Sequence, residues 1–142
     1  MDKEIFPSLE KILRNINRAI NTVLRKEASK MDINLTQFYI LTHLNHHPLI
    51  PIGELSRQFE LSPSTVTAHM DVLEGKGLTE REREDEDRRV VKVNLTEKGR
   101  AFVAGLIESR TQVLREALVG VEEKRLKEIE DTLNFLLEKL GV

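Results

Sequence analysis

The sequence of 142 residues contains no cysteine. Disulfides, thiolate metal sites, cysteine nucleophiles and thiol redox sensors all require that side chain, so its absence excludes each of them. An apolar run long enough to span a bilayer is also missing, and the N-terminus Met1-Asp2-Lys3-Glu4-Ile5 lacks the basic and apolar regions of a signal peptide. We therefore expect one soluble, cytoplasmic domain spanning residues 1–142, with no membrane partner.

An excess of positive charge is absent as well. The chain has 22 Lys and Arg against 24 Asp and Glu, which gives a net charge of −2. Proteins that bind nucleic acids usually neutralise phosphates with Lys and Arg. A DNA-binding role therefore requires a local basic surface that the average composition hides.

Signatures of catalysis are missing too. No nucleophile, base and orienting acid assemble around a recognisable motif, and no phosphate-binding glycine loop is present, so we predict no catalytic residue and no cofactor. His43, His46 and His47 form a dense histidine group, but no cysteine or convincing carboxylate stands at metal-ligand spacing. We predict no metal site, and a zinc site built through tertiary contacts is the alternative.

Apolar residues recur at helical spacing towards both ends of the chain. The N-terminal stripe is Ile5, Leu9, Ile12, Ile16, Ala19 and Val23, and the C-terminal stripe is Leu126, Ile129, Leu133, Leu136 and Leu140. The first stripe predicts a helix over about residues 4–30, the second has the spacing of a coiled-coil seam, and another long helix is predicted over about residues 97–119. We expect residues 1–34 and 97–142 to be the dimerisation helices of a homodimer. The alternative is a monomeric helical bundle.

The centre of the chain, residues 35–96, has the pattern of a winged helix-turn-helix. Ile52 to Gln58 is predicted as the first helix of the motif, and Ser62-Pro63 begins a second helix that ends at Gly75 and Gly77. Two short strands, from Thr79 to Arg83 and from Val90 to Leu95, follow as the wing. The predicted fold class is therefore mainly α with a small β-hairpin.

Two shorter elements precede the motif. Thr36 is predicted to cap a helix that ends near His46-His47-Pro48, because proline disfavours helical geometry in the residue before it. Leu49-Ile50 is predicted as a one-bridge strand.

The second helix of the motif is expected to present its outer face to DNA. Val66, Met70 and Leu73 share one helical face, so small and polar side chains occupy the other side and the flanks. Side chains of that size permit close approach to base edges and phosphates in a major groove. The predicted contacts are Ser62, Ser64, Thr65, Thr67, Ala68 and His69. An ordinary N-capped surface helix is the alternative. His69 lies at the edge between the packed and exposed faces, where its position suits a structural role somewhat better than a phosphate contact.

The loop of the predicted wing ends in Asp87-Arg88-Arg89, after a run of acidic residues. An arginine at a hairpin tip suits a narrow minor groove, where negative potential is concentrated. Arg88 and Arg89 are therefore predicted DNA contacts, and Asp87 is expected to orient one of them. A solvated ladder of ion pairs without a partner is the alternative.

Four segments together resemble the multiple antibiotic resistance regulator (MarR) family. They are Leu61-Ser62-Pro63-Ser64-Thr65-Val66-Thr67, Leu73-Glu74-Gly75-Lys76-Gly77-Leu78, Asp87-Arg88-Arg89 and Leu95-Thr96-Glu97-Lys98-Gly99. The resemblance implies a homodimeric transcriptional regulator whose terminal helices intertwine. The second helix of the motif, called the reading helix below, would lie in the major groove and Arg89 in the minor groove. It also implies that small anionic or phenolic compounds bind between the dimer frame and the DNA-binding lobe.

The chain departs from the family pattern at three places. Ala68 and Val72 stand where such proteins often carry arginine, which removes two possible DNA contacts. Glu60 stands in the turn where glycine is common, and a left-handed backbone there would cost roughly 1 kcal/mol. The missing cysteines separate the chain from the peroxide-sensing branch.

These patterns predict a cytoplasmic, homodimeric DNA-binding regulator, more specifically a repressor that a small aromatic or phenolic ligand releases from a pseudo-palindromic operator. The candidate ligand contacts are Arg14, Arg18, Tyr39 and His43. The alternative is a winged-helix protein-interaction module that has lost DNA binding, which a salt titration with DNA would distinguish.

Overall fold

The computed structural model describes residues 4–83, 86–87 and 89–141. In chain order, its elements are α1 (Ile5–Lys30), α2 (Leu35–His46), β1 (Ile50–Pro51), α3 (Ile52–Gln58), α4 (Pro63–Gly75), β2 (Thr79–Arg83), β3 (Val91–Leu95), α5 (Glu97–Ala117) and α6 (Glu123–Leu140). They form two compact units, and the boundary between these units falls within α5, between Arg110 and Thr111. The predicted fold class, mainly helical with a small sheet, is confirmed.

The wing belongs to a three-stranded antiparallel sheet with the strand order β1-β3-β2. β2 pairs with β3 from Thr79 opposite Leu95 to Arg83 opposite Val91. β1 adds Ile50 opposite Val93, so the short strand expected at Leu49-Ile50 exists but begins one residue later. Because alternate side chains of a strand point to the same face of the sheet, Val93 and Leu95 are buried together.

The start of α2 corrects one prediction. Asn34, not Thr36, is the N-cap: its Oδ1 accepts a hydrogen bond from the Gln37 backbone N–H at 2.9 Å, and Gln37 Oε1 accepts one from the Asn34 N–H at 3.0 Å. This reciprocal pair satisfies two N–H groups that the helix itself cannot, which a cap at Thr36 would leave unpaired. Thr36 therefore lies in the first turn, while the helix ends at His46 as expected.

The apolar core lies within residues 28–103, where α2, α3, α4 and the sheet pack together. Its most deeply buried side chains are Ile40, Leu41, Leu44, Leu55, Val66, Met70, Leu73, Leu78, Val93, Leu95 and Val103. Burying one side chain of this kind stabilises a fold by about 1.5–3 kcal/mol relative to leaving it exposed. Val66, Met70 and Leu73 thus hold α4 by one face and leave its opposite side open to solvent.

Gly99 allows α5 to begin against the residue that precedes β2. A Cβ atom on Gly99 would lie 2.0 Å from the carbonyl oxygen of Leu78. That oxygen accepts a hydrogen bond from Thr96 N at 3.1 Å, and Thr96 Oγ1 accepts one from Gly99 N at 3.0 Å. No side chain fits at residue 99, so this glycine joins the first turn of α5 to the wing.

The terminal helices leave most of their apolar stripes uncovered. Among the residues that the structure describes, α6 buries none, and Leu133 and Leu140 are 45% and 64% exposed. In α1 the buried residues are Leu24 and Ala28, whereas Phe6 and Ile12 are 57% and 51% exposed. No helix in the described ranges combines the length and apolar character that crossing a membrane requires.

Candidate nucleic-acid interface

The turn between α3 and α4 is fixed by hydrogen bonds within the motif. Leu61 N donates to the Ser56 carbonyl at 3.0 Å, and Ser56 Oγ donates to the Leu61 carbonyl at 2.5 Å. Glu60 has a φ of 52°, so the left-handed conformation expected at a glycine-favouring position is present in a residue with a side chain. The turn thus holds α4 at a defined angle to α3 despite this local strain.

The first turn of α4 carries a cluster of exposed hydroxyl groups. Ser62 caps the helix by accepting a hydrogen bond from Thr65 N at 3.1 Å, as predicted. Its Oγ also lies 3.0 Å from Ser64 Oγ and 2.7 Å from Thr65 Oγ1. Hydrogen bonds between Ser62, Ser64 and Thr65 therefore fix the positions of three predicted DNA contacts before any partner binds.

The next turn offers fewer polar groups. Thr67 is exposed, and its hydroxyl forms no hydrogen bond within the described part of the chain, so it is available to a partner. Ala68 is exposed and Val72 is 42% exposed, which places two apolar side chains where the family often has arginine. The polar groups that α4 offers to a partner are therefore mainly hydroxyl and backbone N–H groups near its start.

His69 lies at the edge between the buried and exposed sides of α4. Its ring is half-buried, and Nδ1 lies 3.4 Å from Nε2 of Gln37, which is 6% exposed. The contact connects α4 to the first turn of α2. His69 thus has a packing contact on one side while part of its ring is still exposed.

Arg81 connects the wing to the reading helix, a link that the sequence did not predict. Its NH2 group forms an ion pair with Asp71 of α4, and its Nε lies 3.1 Å from Glu74 Oε2 without the alignment of a hydrogen bond. Asp71 and Glu74 would otherwise present unbalanced negative charge on α4. Arg81 therefore neutralises these carboxylates and holds β2 beside α4.

The tip of the wing presents Arg89 to solvent. Asp87 Oδ1 accepts a hydrogen bond from the Arg89 backbone N–H at 3.0 Å, and the Asp87 carbonyl accepts one from Val90 N at 3.0 Å. Asp87 therefore fixes the backbone at Arg89. Arg89 forms no ion pair with any described residue. Arg88, the other predicted wing contact, lies outside the described residues.

The four predicted ligand contacts do not share one groove. Tyr39 and His43 line a groove of about 430 Å³ between α2, α5 and Phe59, the residue after α3. The remaining residues of that lining are Phe38, Thr42, His46, Phe59, Ile107 and Arg110. Arg14 and Arg18 line a separate groove of about 230 Å³ whose described walls belong to α1 alone. Sequence reasoning missed Arg110, since only packing brings this residue of α5 beside α2.

Aromatic and basic side chains surround His43 in the larger groove. Its ring lies 4.6 Å from the His47 ring and 5.6 Å, edge to face, from Phe59. Burial lowers the pKa of His43, and the nearby His47 and His46 lower it further, against an opposing effect of Glu54. Among the described residues, no group of three or more His, Asp or Glu side chains stands close enough to hold a metal ion.

The winged motif and the helices around it are similar to known proteins. A model described as the MarR family matches residues 33–91, which span α2 to the start of β3. The uncharacterised regulator YsmB of Bacillus subtilis is 30% identical over 93% of this chain and 90% of its own length. The repressor MdtR of the same organism is 24% identical over 87% of this chain and 79% of its own.

A solved structure extends the similarity to the whole fold. The structure of a MarR family protein from Bacillus stearothermophilus has a TM-score of 0.87 and 29% identity, and the match covers 100% of this chain and 99% of that one. The winged motif, the similar sequences and the shared fold all indicate the same family. The chain belongs to the MarR family of DNA-binding transcriptional regulators.

Proposed function

We propose that this protein is a homodimeric repressor that binds a pseudo-palindromic operator and leaves it when a small aromatic anion binds. One observation carries the DNA-binding part of the proposal. α4 buries Val66, Met70 and Leu73 and turns its capped, hydroxyl-rich start outward, and the wing beyond it presents an exposed Arg89. The start of α4 suits the major groove, and Arg89 suits the adjacent minor groove.

The second protomer is proposed from the exposed apolar faces. Leu114, Leu118, Leu126, Ile129 and Leu133 line a groove of about 580 Å³ between the end of α5 and α6. The first half of α1 carries a second exposed apolar stripe. A two-fold dimer buries the same stripes of both copies at once, which makes another copy of this chain the natural occupant.

Repression is the direction of regulation that we propose. MdtR, one of the relatives above, is named as a repressor. A dimer with two reading helices covers a stretch of double-stranded DNA and blocks access to it. Because its target is chromosomal DNA, the same proposal includes a cytoplasmic location.

The ligand site is proposed in the groove lined by Tyr39 and His43. Phe38, Tyr39 and Phe59 offer aromatic surface, and Arg110 forms no ion pair with any described residue. A carboxylate or phenolate attached to an aromatic ring matches that combination of apolar wall and cation. Arg110 therefore takes the role that the sequence assigned to Arg14 and Arg18.

Selection of bound sequences from a random DNA pool tests the operator proposal directly. We expect a symmetric site whose half-sites lie about 34–36 Å apart, or a multiple of that distance, and an affinity that falls steeply with salt. Selection of one asymmetric half-site would contradict the dimeric arrangement. Failure to retain any sequence at low salt would contradict operator binding itself.

Salicylate-like aromatic acids test the ligand proposal. We expect them to raise the melting temperature and to lower DNA affinity, with about 1–3 kcal/mol of coupling between the two sites. Arg110→Ala should remove both responses, whereas Arg14→Ala, which changes an arginine of the other groove, should keep them. Loss of the responses in Arg14→Ala alone would move the site to α1. If no aromatic acid changed either quantity, the proposed regulation would be wrong.

A further inference from the structure

A single buried side chain connects the cap of α2 to the reading helix. Gln37 is a residue of α2 with 6% exposure, and both ends of its amide have partners. Its Oε1 accepts the Asn34 N–H at 3.0 Å, and its Nε2 lies 3.4 Å from Nδ1 of His69. The amide thus bridges a backbone group of α2 and an imidazole of α4.

The backbone determines which end of the amide faces His69. An amide group has an acceptor end and a donor end, and reversing it would place the NH2 group of Gln37 against the N–H of Asn34. Two donors facing each other would leave the Asn34 N–H without the partner that completes the capping box, which costs free energy. The capping box therefore holds the NH2 end of Gln37 towards α4.

The orientation of the amide in turn determines where His69 carries its proton. The Gln37 NH2 group is a donor, so Nδ1 of His69 must accept and has no proton of its own. In the neutral ring the proton then sits on Nε2. Nε2 has no hydrogen-bond partner among the described residues, and the ring is half-exposed at the edge of α4.

We propose that Gln37 is a positioning residue that fixes the Nε2–H tautomer of His69, so that a neutral imidazole donates a hydrogen bond to a DNA phosphate. The proposal rests on the proposed DNA contact of α4. Phosphate oxygens accept most of the hydrogen bonds that set the register of a protein on DNA. The wrong tautomer would turn an acceptor nitrogen towards them.

Gln37→Glu is the variant that isolates this role. Glutamate also serves at this position of a capping box, so the Asn34 N–H keeps its partner and α2 keeps its cap. The end that faces His69 changes from a donor to an acceptor. The proton should therefore move to Nδ1 of His69.

Nitrogen-15 NMR of the DNA-free protein reads the tautomer at about pH 9, above the usual titration range of imidazole. We expect His69 Nδ1 to be unprotonated in the wild type and protonated in Gln37→Glu, with similar melting temperatures. A protonated Nδ1 in the wild type, or an unchanged tautomer in the variant, would overturn the proposal. This measurement does not depend on DNA binding, so it is informative even if the proposed function fails.

A double-mutant cycle then measures the consequence for DNA binding at the same pH. Gln37→Glu should weaken operator affinity about tenfold, the size of one hydrogen bond to a charged group. In a His69→Ala background the same substitution should do clearly less, since only the added negative charge is left. Equal losses in both backgrounds would contradict the positioning role, whereas absence of any DNA binding by the wild type would contradict the proposed function instead.

Discussion

The winged lobe (residues 35–96) and the terminal helices bury their apolar residues to different extents. In the lobe, Leu55, Val66 and Met70 are completely buried by other parts of the same chain. In the terminal helices, Ile12 and Leu133 have similar apolar side chains but are about half exposed, at 51% and 45%. The helical spacing of apolar residues is more regular in the terminal helices than in the lobe. The difference lies in whether one chain can supply the surface that covers the stripe.

This difference separates two kinds of stability. The lobe has a core that one chain completes, so its folding should depend on internal fit. The terminal helices have exposed apolar faces that the proposed dimer would cover, so their stability should depend on protein concentration. Substitutions in the two regions should therefore change different measurements.

Leu133→Lys should have the largest effect and should act on association. Leu133 is 45% exposed, so association can bury about half of its surface, which is worth about 0.7–1.5 kcal/mol per copy. Two-fold symmetry doubles the loss to about 1.5–3 kcal/mol, and the buried charge adds to it, so the dimer should dissociate at least tenfold more readily. Analytical ultracentrifugation over a range of concentrations measures this change. Asn134→Lys adds the same charge on a neighbouring side of α6 and should leave the dimer intact. An unchanged dimer in Leu133→Lys would show that this stripe is not the interface.

Gly99→Ala should act on the lobe. The new Cβ would meet the Leu78 carbonyl, which Thr96 N already holds, so the wing or the start of α5 must move. We expect a loss of about 1–3 kcal/mol in the free energy of unfolding, measured by denaturant titration. Gly105→Ala, in the same helix with no atom within 4 Å of the added group, should not destabilise the protein. Equal destabilisation by both substitutions would show that the contact at Leu78 is not the cause.

Arg89→Ala should lower DNA affinity roughly tenfold or more without lowering the melting temperature, because the Arg89 guanidinium group forms no ion pair with any described residue and alanine keeps the backbone N–H. Arg81→Ala should do less to affinity and more to stability, since Arg81 pairs with Asp71 and Glu74. Titrations with labelled operator and thermal melts of both variants measure the two quantities. If the two variants lost affinity equally, the tip of the wing would have no special role.

Local sequence patterns predicted the parts of the fold that depend on neighbours along the chain. Ser62 caps α4, and Val66, Met70 and Leu73 form its buried face, because capping chemistry and helical spacing act within a few residues. The left-handed Glu60 was expected from the family resemblance instead, because glycine is common at this place in the turn. Local reasoning misplaced the cap of α2 because Thr36 and Asn34 are both good capping residues, and the Asn34 to Gln37 reciprocal pair decides between them.

Contacts between distant residues were beyond that reasoning. Arg81 reaches Asp71 across the start of the wing, Gln37 meets His69 between two helices, and Arg110 lines a groove with Tyr39. Each of these contacts depends on the positions of helices and strands relative to one another, and the spacing of residues along the sequence does not predict those positions. Arg14 and Arg18 were predicted to contact the same ligand as Tyr39, but they line a separate groove whose described walls belong to α1.

The smallest expected effect concerns His43 and the dependence of lobe stability on pH. Burial lowers the pKa of His43 in the folded protein, whereas the unfolded chain has the ordinary value of about 6.5. Below that pH the unfolded chain binds a proton more readily than the folded one, so the free energy of unfolding should fall as the pH drops from about 6.5 through the lower folded pKa. The effect should be modest because the side chain is only half-buried.

His43→Gln removes the titrating imidazole. The melting temperature of this variant should therefore fall less than that of the wild type between about pH 7.5 and 5. Carboxylates titrate in both proteins, so the difference between the two curves isolates the imidazole. Parallel curves would show that His43 is not destabilised in its charged form. A wild-type curve that rose towards acid pH relative to the variant would mean that Glu54 outweighs burial and the neighbouring histidines.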